Sequence, residues 1–236
     1  MADIRFSPDD ILYEDNHLIA VNKPAGMLTQ SDPSGEEGLE DFIKAYIKRR
    51  DAKPGDVFLG VAHRIDRPVS GVVLFAKTSK ALVRLNEMLR DRQIRKIYWA
   101  VTEEAPAETE GTLRNWMTRD GKTNKAHAYS SPRKDAKEAV LHYKLLGSSK
   151  NYRLLEIELI TGRHHQIRCQ LAKAGCPIKG DLKYGAARSN PGGGISLHSR
   201  SLSFIHPVRK EPVTIVAPVP RQDALWAFFE ASQSEA

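Results

Sequence analysis

The chain contains little that suits a membrane or an oxidising compartment. It has two cysteines, Cys169 and Cys176, in 236 residues, too few for a disulfide framework and without the second CxxC or His pair of a zinc site. Both are expected to be small buried or half-buried residues in a reduced protein. The most apolar stretches, residues 71–76 and 214–219, are far shorter than the roughly 20 residues that cross a bilayer, so no membrane partner is expected. The opening MADIRFSPDD has neither a basic n-region nor an apolar h-region, so no secretory signal is read; with only two cysteines, a cytoplasmic location is expected. His164 and His165 are adjacent, which cannot make an i, i+4 metal pair, and no HExxH motif exists. The glycine-rich segment 190–194 has no following Lys-Ser/Thr and is not a phosphate-binding loop.

What remains is a core-forming, basic chain. Hydrophobic residues make up 41% and charged residues 28%, with a net charge of +7, which excludes disorder as the main description and points to a polyanion. The excess is uneven. Residues 1–62 hold 7 basic and 12 acidic side chains, a balance of −5, whereas residues 63–236 hold 29 and 17, a balance of +12. Three clusters supply it: Arg84 with Arg90, Arg92, Arg95 and Lys96; Arg114 through Lys137; and Arg163, Arg168, Lys173, Lys179, Lys183 and Arg188. Each alone fits a solvated face; three in succession favour nucleic acid.

Hydrophobic periodicity predicts a hairpin over 11–13 and 17–22, a helix over 36–50, two buried strands at 57–62 and 72–76, and a helix over 79–90 capped by Thr78 or Ser79. A strand at 94–102 puts Ile94, Lys96, Tyr98 and Ala100 on one side. Strands follow at 112–117, 139–146 and 152–160, with the basic stretch 121–137 read as a surface excursion. A helix of about three turns is expected to begin near Arg163, with Arg168 beside its core stripe. Strands at 196–206 and 213–216 and a helix over 221–231 close the chain. No repeat and no long linker is visible, so one domain over 1–236 is expected. No zipper pattern is present, and a monomer is the default.

Between the two runs at 57–62 and 72–76 lies His63-Arg-Ile-Asp-Arg-Pro-Val-Ser-Gly71. It holds one carboxylate, Asp66, between Arg64 and Arg67 and next to His63, in a loop bounded by strands. A carboxylate fixed in this way suits nucleophilic attack or proton abstraction. The same pattern fits a structural Arg–Asp pair that staples the loop. Thr161-Gly-Arg-His-His-Gln-Ile-Arg168 gathers two arginines and two histidines after a strand, suited to capping, core packing or RNA contact. Tyr98 and Lys96 offer an aromatic ring and a cation on one strand, which fits a nucleotide or, equally, core and surface.

These segments match an ordered set. The sequence resembles the RluA family of pseudouridine synthases over about residues 11–220. The matches are Leu18-Ile-Ala-Val-Asn-Lys-Pro-Ala-Gly26; the nonapeptide at 63–71 for the family's His-Arg-Leu-Asp-x-x-Thr-Ser-Gly; Lys96-Ile-Tyr98; residues 159–168 followed by Gly180-Asp-Leu-Lys-Tyr-Gly185; and Leu197-His198 with His206-Pro207. Two departures stand out: Ile65 replaces Leu, and Val69 replaces Thr, which removes a hydroxyl from the loop. Motif one begins at Leu18, so no N-terminal S4-type RNA-binding domain is expected.

The resemblance implies an α+β pseudouridine synthase fold: a mixed, mostly antiparallel sheet with flanking helices and a central basic cleft. It implies conversion of a uridine in ribosomal or transfer RNA to pseudouridine, an isomerisation that needs no cofactor and no metal. Asp66, Tyr98 and Arg168 would be the catalytic residues, Arg168 matching the family's arginine that pairs with the aspartate. Arg64 would contact a flipped nucleotide, Ile167 and Leu197 would wall the base pocket, and His63, Lys96 and Arg163 would complete the substrate contacts. A noncatalytic RNA-binding or ribosome-assembly module would keep the basic clusters without needing Asp66, Tyr98 and Arg168 together. A hydrolase would need a paired acid or a metal cluster.

Overall fold

The computed structural model describes residues 6–32, 35–220 and 222–234. In chain order its elements are β1 (Ile11–Glu14), β2 (Leu18–Lys23), α1 (Leu39–Arg50), β3 (Gly60–Val61), β4 (Ser70–Ala76), α2 (Ser79–Arg90), β5 (Arg95–Thr102), β6 (Glu110–Asp120), β7 (Lys125–Tyr129), β8 (Lys137–Ser148), β9 (Arg153–Leu159), α3 (Gln166–Lys173), β10 (Leu197–Ile205), β11 (Pro212–Val216) and α4 (Ala224–Ser234). This is an α+β protein, and every strand pair whose register is described is antiparallel. Among the described residues no helix is long and apolar enough to cross a membrane.

The chain divides into two compact units. The first comprises Met1–Ile94 and Ser199–Pro218, the second Arg95–His198 and Val219–Ala236. Neither is contiguous in sequence, which is why no linker marks a boundary.

In the first unit the strands run β1-β2-β4-β10, with β11 on β10 and β3 on β4. β4 is buried along its whole length, and its unbroken SGVVLFA run is what a strand covered on both faces requires. Leu18, Ala20, Val72 and Leu74 pack with Ala81, Leu85 and Met88 of α2 and with Leu202 and Ile215. Burial of each large aliphatic side chain contributes about 1.5–3 kcal/mol. The cap of α2 is as predicted: Thr78 Oγ1 accepts a bond from the Ala81 amide. α1 starts at Leu39, three residues later than the periodicity suggested, because Gly38 is extended and Asp41 accepts the Gly38 amide. The run at 57–62 is strand only at Gly60–Val61, and Phe58 is exposed; apolar content alone overstated it.

In the second unit the order is β5-β9-β8-β6-β7. Ile97, Trp99, Val101 and Leu154 form its core with Val219 and with Trp226 and Phe229 of α4. The stretch 121–137 is not simply an excursion. Its residues Lys125–Tyr129 form β7, paired with β6 from Trp116↔Tyr129 to Asp120↔Lys125. The turn between them is closed by Asp120, whose carboxylate accepts the Lys122 amide and the Thr123 hydroxyl, and by Asn124 in the left-handed region. α3 is also shorter than expected and begins at Gln166. Residues 161–165 form a turn instead, in which Gln166 Oε1 accepts from the Arg163 amide and the Thr161 hydroxyl.

Candidate functional site

In the first unit the segment at 62–69 connects β3 to β4 and carries His63, Arg64 and Asp66. Asp66 O accepts the Val69 amide at 3.0 Å, closing a tight turn. That bond is made by the backbone, so Val69, buried where the motif has threonine, leaves the turn intact. Asp66 is half-buried and Arg64 exposed. His63 Nε2 accepts the Leu74 amide at 3.0 Å, which ties its ring to the middle of β4. Arg67 does staple the loop, through Gly26 and Glu36: its Nε donates to Gly26 O and its Nη1 to Glu36.

The strongest support of this turn comes from a residue the motifs leave without a role. Lys23, at the end of β2, is fully buried. Its Nζ donates to the carbonyls of Pro24 at 3.0 Å, Met27 at 2.7 Å and Arg67 at 3.2 Å. The Gly26 amide donates to the same Arg67 carbonyl at 2.8 Å, and Thr29 Oγ1 donates to Ile65 O at 3.1 Å. The 23–29 segment thus grips the Asp66 turn on both sides. Gly26 has φ +94, a conformation in which a side chain is strained. Burial pushes the Lys23 ammonium down to about 7, opposed by the nearby Asp66 carboxylate. The period-two rule was the available signal: Ile19, Val21 and Lys23 share a strand face.

The second unit holds Lys96, Tyr98, Arg163, Ile167, Arg168 and Leu197. Tyr98 is buried on β5, opposite Ile157 of β9. Lys96 lies beside the 161–165 turn, where a Cβ on Gly162 would come within 3.9 Å of its Nζ. Arg163 Nε donates to Glu138 O at 2.8 Å, so its side chain lies back on β8. Ile167 and Leu197 are both buried.

Arg168 is buried, not flanking the stripe. Its Nε donates to Asp181 Oδ2 at 2.6 Å and its Nη2 to Oδ1 at 2.9 Å, a bidentate pair. Such a pair holds a guanidinium plane as well as its position. Asp181 is the one acidic residue anywhere in 160–210, a signal that a lone carboxylate in a basic stretch has a fixed partner. His165 precedes α3 with φ +51, and its ring stacks on His164 at 3.8 Å. A non-glycine residue held in that region marks a position over-determined by its surroundings. The hydroxyl of Tyr184 lies 2.8 Å from His165 Nδ1 and accepts the Ala126 amide at 2.7 Å. Burial pushes that phenol up to about 12, so it stays protonated at neutral pH.

Both cysteines are buried and free, with burial pushing each thiol up to about 11. A separate open depression of about 410 Å³ is lined by Glu110, Thr112, His142, Glu156 and Glu158. Its carboxylates repel a phosphate backbone, and it contains no motif residue.

Comparison with known proteins agrees with the motifs. The family model described as RNA pseudouridylate synthase matches residues 17–173. A relative from Xylella fastidiosa, named ribosomal large subunit pseudouridine synthase D, is 37% identical over 226 residues, covering 90% of this chain and 66% of its own. An uncharacterized RNA pseudouridine synthase of Synechocystis is 35% identical over 220 residues, with 90% and 66% covered. The chain therefore spans about two thirds of the length of these relatives. Among solved structures, human RNA pseudouridylate synthase domain containing 4 superposes with a TM-score of 0.75 at 26% identity, covering 96% of this chain and 92% of that one.

Proposed function

Since the chain belongs to the RNA pseudouridylate synthase family, we propose that it isomerises uridine in ribosomal RNA to pseudouridine, with Asp66 as the catalytic carboxylate. The observation that carries this reading is the grip of Lys23, Gly26 and Thr29 on the Asp66 turn. A loop fixed from both sides holds a carboxylate where a substrate can be brought to it, at low reorganisation cost. The name of the Xylella relative makes ribosomal RNA the first substrate to test, ahead of transfer RNA.

The reaction breaks the C1'–N1 bond and rejoins the base through C5, releasing the C5 proton. Asp66 can serve by attack on ribose C1', by addition to uracil C6, or by removing a C2' proton, and each route leads to the same isomer. A stacked uridine must first leave its helix, at a cost of a few kcal/mol. Arg64, exposed beside Asp66, is suited to contact the flipped nucleotide. Tyr98 would pack on the uracil, Ile167 and Leu197 would wall the pocket, and Lys96 and Arg163 would meet flanking phosphates. Arg168, its plane set by Asp181, would orient the Asp66 carboxylate.

Tritium release from RNA labelled at uridine C5 tests the reading. We expect release by the wild type in the presence of a metal chelator and none by Asp66→Ala, with RNA affinity within a few fold of wild type. Release by Asp66→Ala would overturn the role of the carboxylate. No release by the wild type from unmodified ribosomal RNA would favour the binding-module reading.

A further inference from the structure

Tyr184 lies within the matched Gly180–Gly185 segment of the second unit, but no role in the reaction has been given to it. It sits at the end of the short turn Leu182–Tyr184, three residues after Asp181, and is buried. Its amide donates to Asp181 O at 3.0 Å. The Arg168 guanidinium carbon lies 5.0 Å from its ring centroid, while Arg168 also forks onto the Asp181 carboxylate. Arg168 is therefore fixed in plane by Asp181 and supported by an aromatic ring. The two supports belong to one short segment.

The ring is itself held by the β6–β7 hairpin. The Ala126 amide donates to the Tyr184 hydroxyl at 2.7 Å, and Lys125 Nζ lies 5.3 Å from the ring centroid. Lys183 reaches back to the hairpin turn, donating to Asn124 O at 3.1 Å, and Cys169 Sγ donates to Ala126 O at 3.3 Å. Met117, Ala126, Cys169 and Tyr184 pack as one cluster. These contacts tie the hairpin, the turn and α3 to one another.

We propose that Tyr184 is a positioning residue, through which the seated β6–β7 hairpin holds Arg168 in its working orientation. The Asp181 fork holds the guanidinium by one edge, and the Tyr184 ring adds cation–π support, with stabilisation that is largest when water is excluded. The effect falls on the rate of the chemical step and not on RNA binding, since Tyr184 is buried. This inference rests on the reading of Arg168 given above.

A double-mutant cycle tests it, with single-turnover tritium release measured at saturating RNA for the wild type, Tyr184→Leu, Arg168→Lys and the pair. We expect Tyr184→Leu to slow the rate by on the order of thirtyfold and Tyr184→Phe, which keeps the ring, by no more than about fivefold, with RNA affinity within about threefold in both. Adding Tyr184→Leu to Arg168→Lys should then cost little more, because the group it positions is already altered. Multiplied effects in the double variant, or a loss confined to affinity, would overturn the inference while leaving the wild-type activity as evidence for the reaction. If Tyr184→Leu does not fold, or if the wild type releases no tritium, the Arg168 Nε–H resonance decides, assigned by its disappearance in Arg168→Lys. Faster solvent exchange of that proton in Tyr184→Met, which lacks the ring, supports the positioning role; unchanged exchange overturns it.

Discussion

The ammonium of Lys23 donates to the backbone carbonyl of Arg67, the residue that follows Asp66 in the chain. Two further carbonyls, those of Pro24 and Met27, complete its shell. The three N–H bonds of an ammonium are thereby satisfied in a fully buried site. This makes Lys23 a frame for the Asp66 turn.

Lys23→Met should strand three carbonyls at once, costing on the order of 3 kcal/mol or more. A pH signature accompanies it. Burial pushes the Lys23 ammonium down to about 7, whereas an unfolded lysine titrates near 10.4. The unfolded chain thus holds the extra proton across that window, and unfolding free energy rises with pH from about 7 upward. Urea melts of wild type and Lys23→Met between about pH 7 and about pH 9 should show a stability gap that widens with pH. A gap that stays constant across this range would mean that Lys23 does not titrate there.

Gly71, early in β4 just after the Asp66 turn, has φ +113 and pairs with Lys23 of β2. A Cβ there would overlap the backbone of Ser199 and come 2.6 Å from its nitrogen. Backbone cannot rotate away as a side chain can. Gly71→Ala should therefore lower stability by roughly 3 kcal/mol or more, combining overpacking with a disallowed φ. A thermal midpoint within a few degrees of wild type would contradict it.

β4 was legible in the sequence because Val72 to Ala76 is apolar on both faces, and α2 because Thr78 stands where a cap must. β7 was not, since its alternating apolar positions are only the small Ala126 and Ala128 within a basic stretch, and its strand character comes from pairing with β6. The motifs marked Asp66, Tyr98 and Arg168, but local spacing put Arg168 on the flank of α3. Its burial depends on Asp181, thirteen residues further on, which periodicity does not see. Lys23 and Tyr184 were matched as motif letters without a role, because what each does depends on backbone groups of other segments.

The hairpin makes the basic surface of the second unit testable. Lys122 and Lys134 are exposed, at the turn and just beyond β7. Replacing both by alanine should weaken RNA binding about equally across sequences and lower the slope of log K against log salt by roughly two, one for each phosphate that is no longer neutralised. The single-turnover rate at saturating RNA should stay within about twofold of wild type. An unchanged salt slope would place the RNA elsewhere.

Tyr98 separates stacking from proton transfer. Its ring is buried on β5, so Tyr98→Phe keeps the packing against its neighbours and loses only the hydroxyl. Stacking on a base is worth about 1–3 kcal/mol, and Tyr98→Ala should therefore slow turnover by on the order of tenfold to a hundredfold beyond Tyr98→Phe, with an added loss of stability from the cavity. Tritium release by the two variants at matched folded fraction makes the comparison. If both lose the same activity, the hydroxyl acts on the C5 proton and the ring is not what holds the uracil.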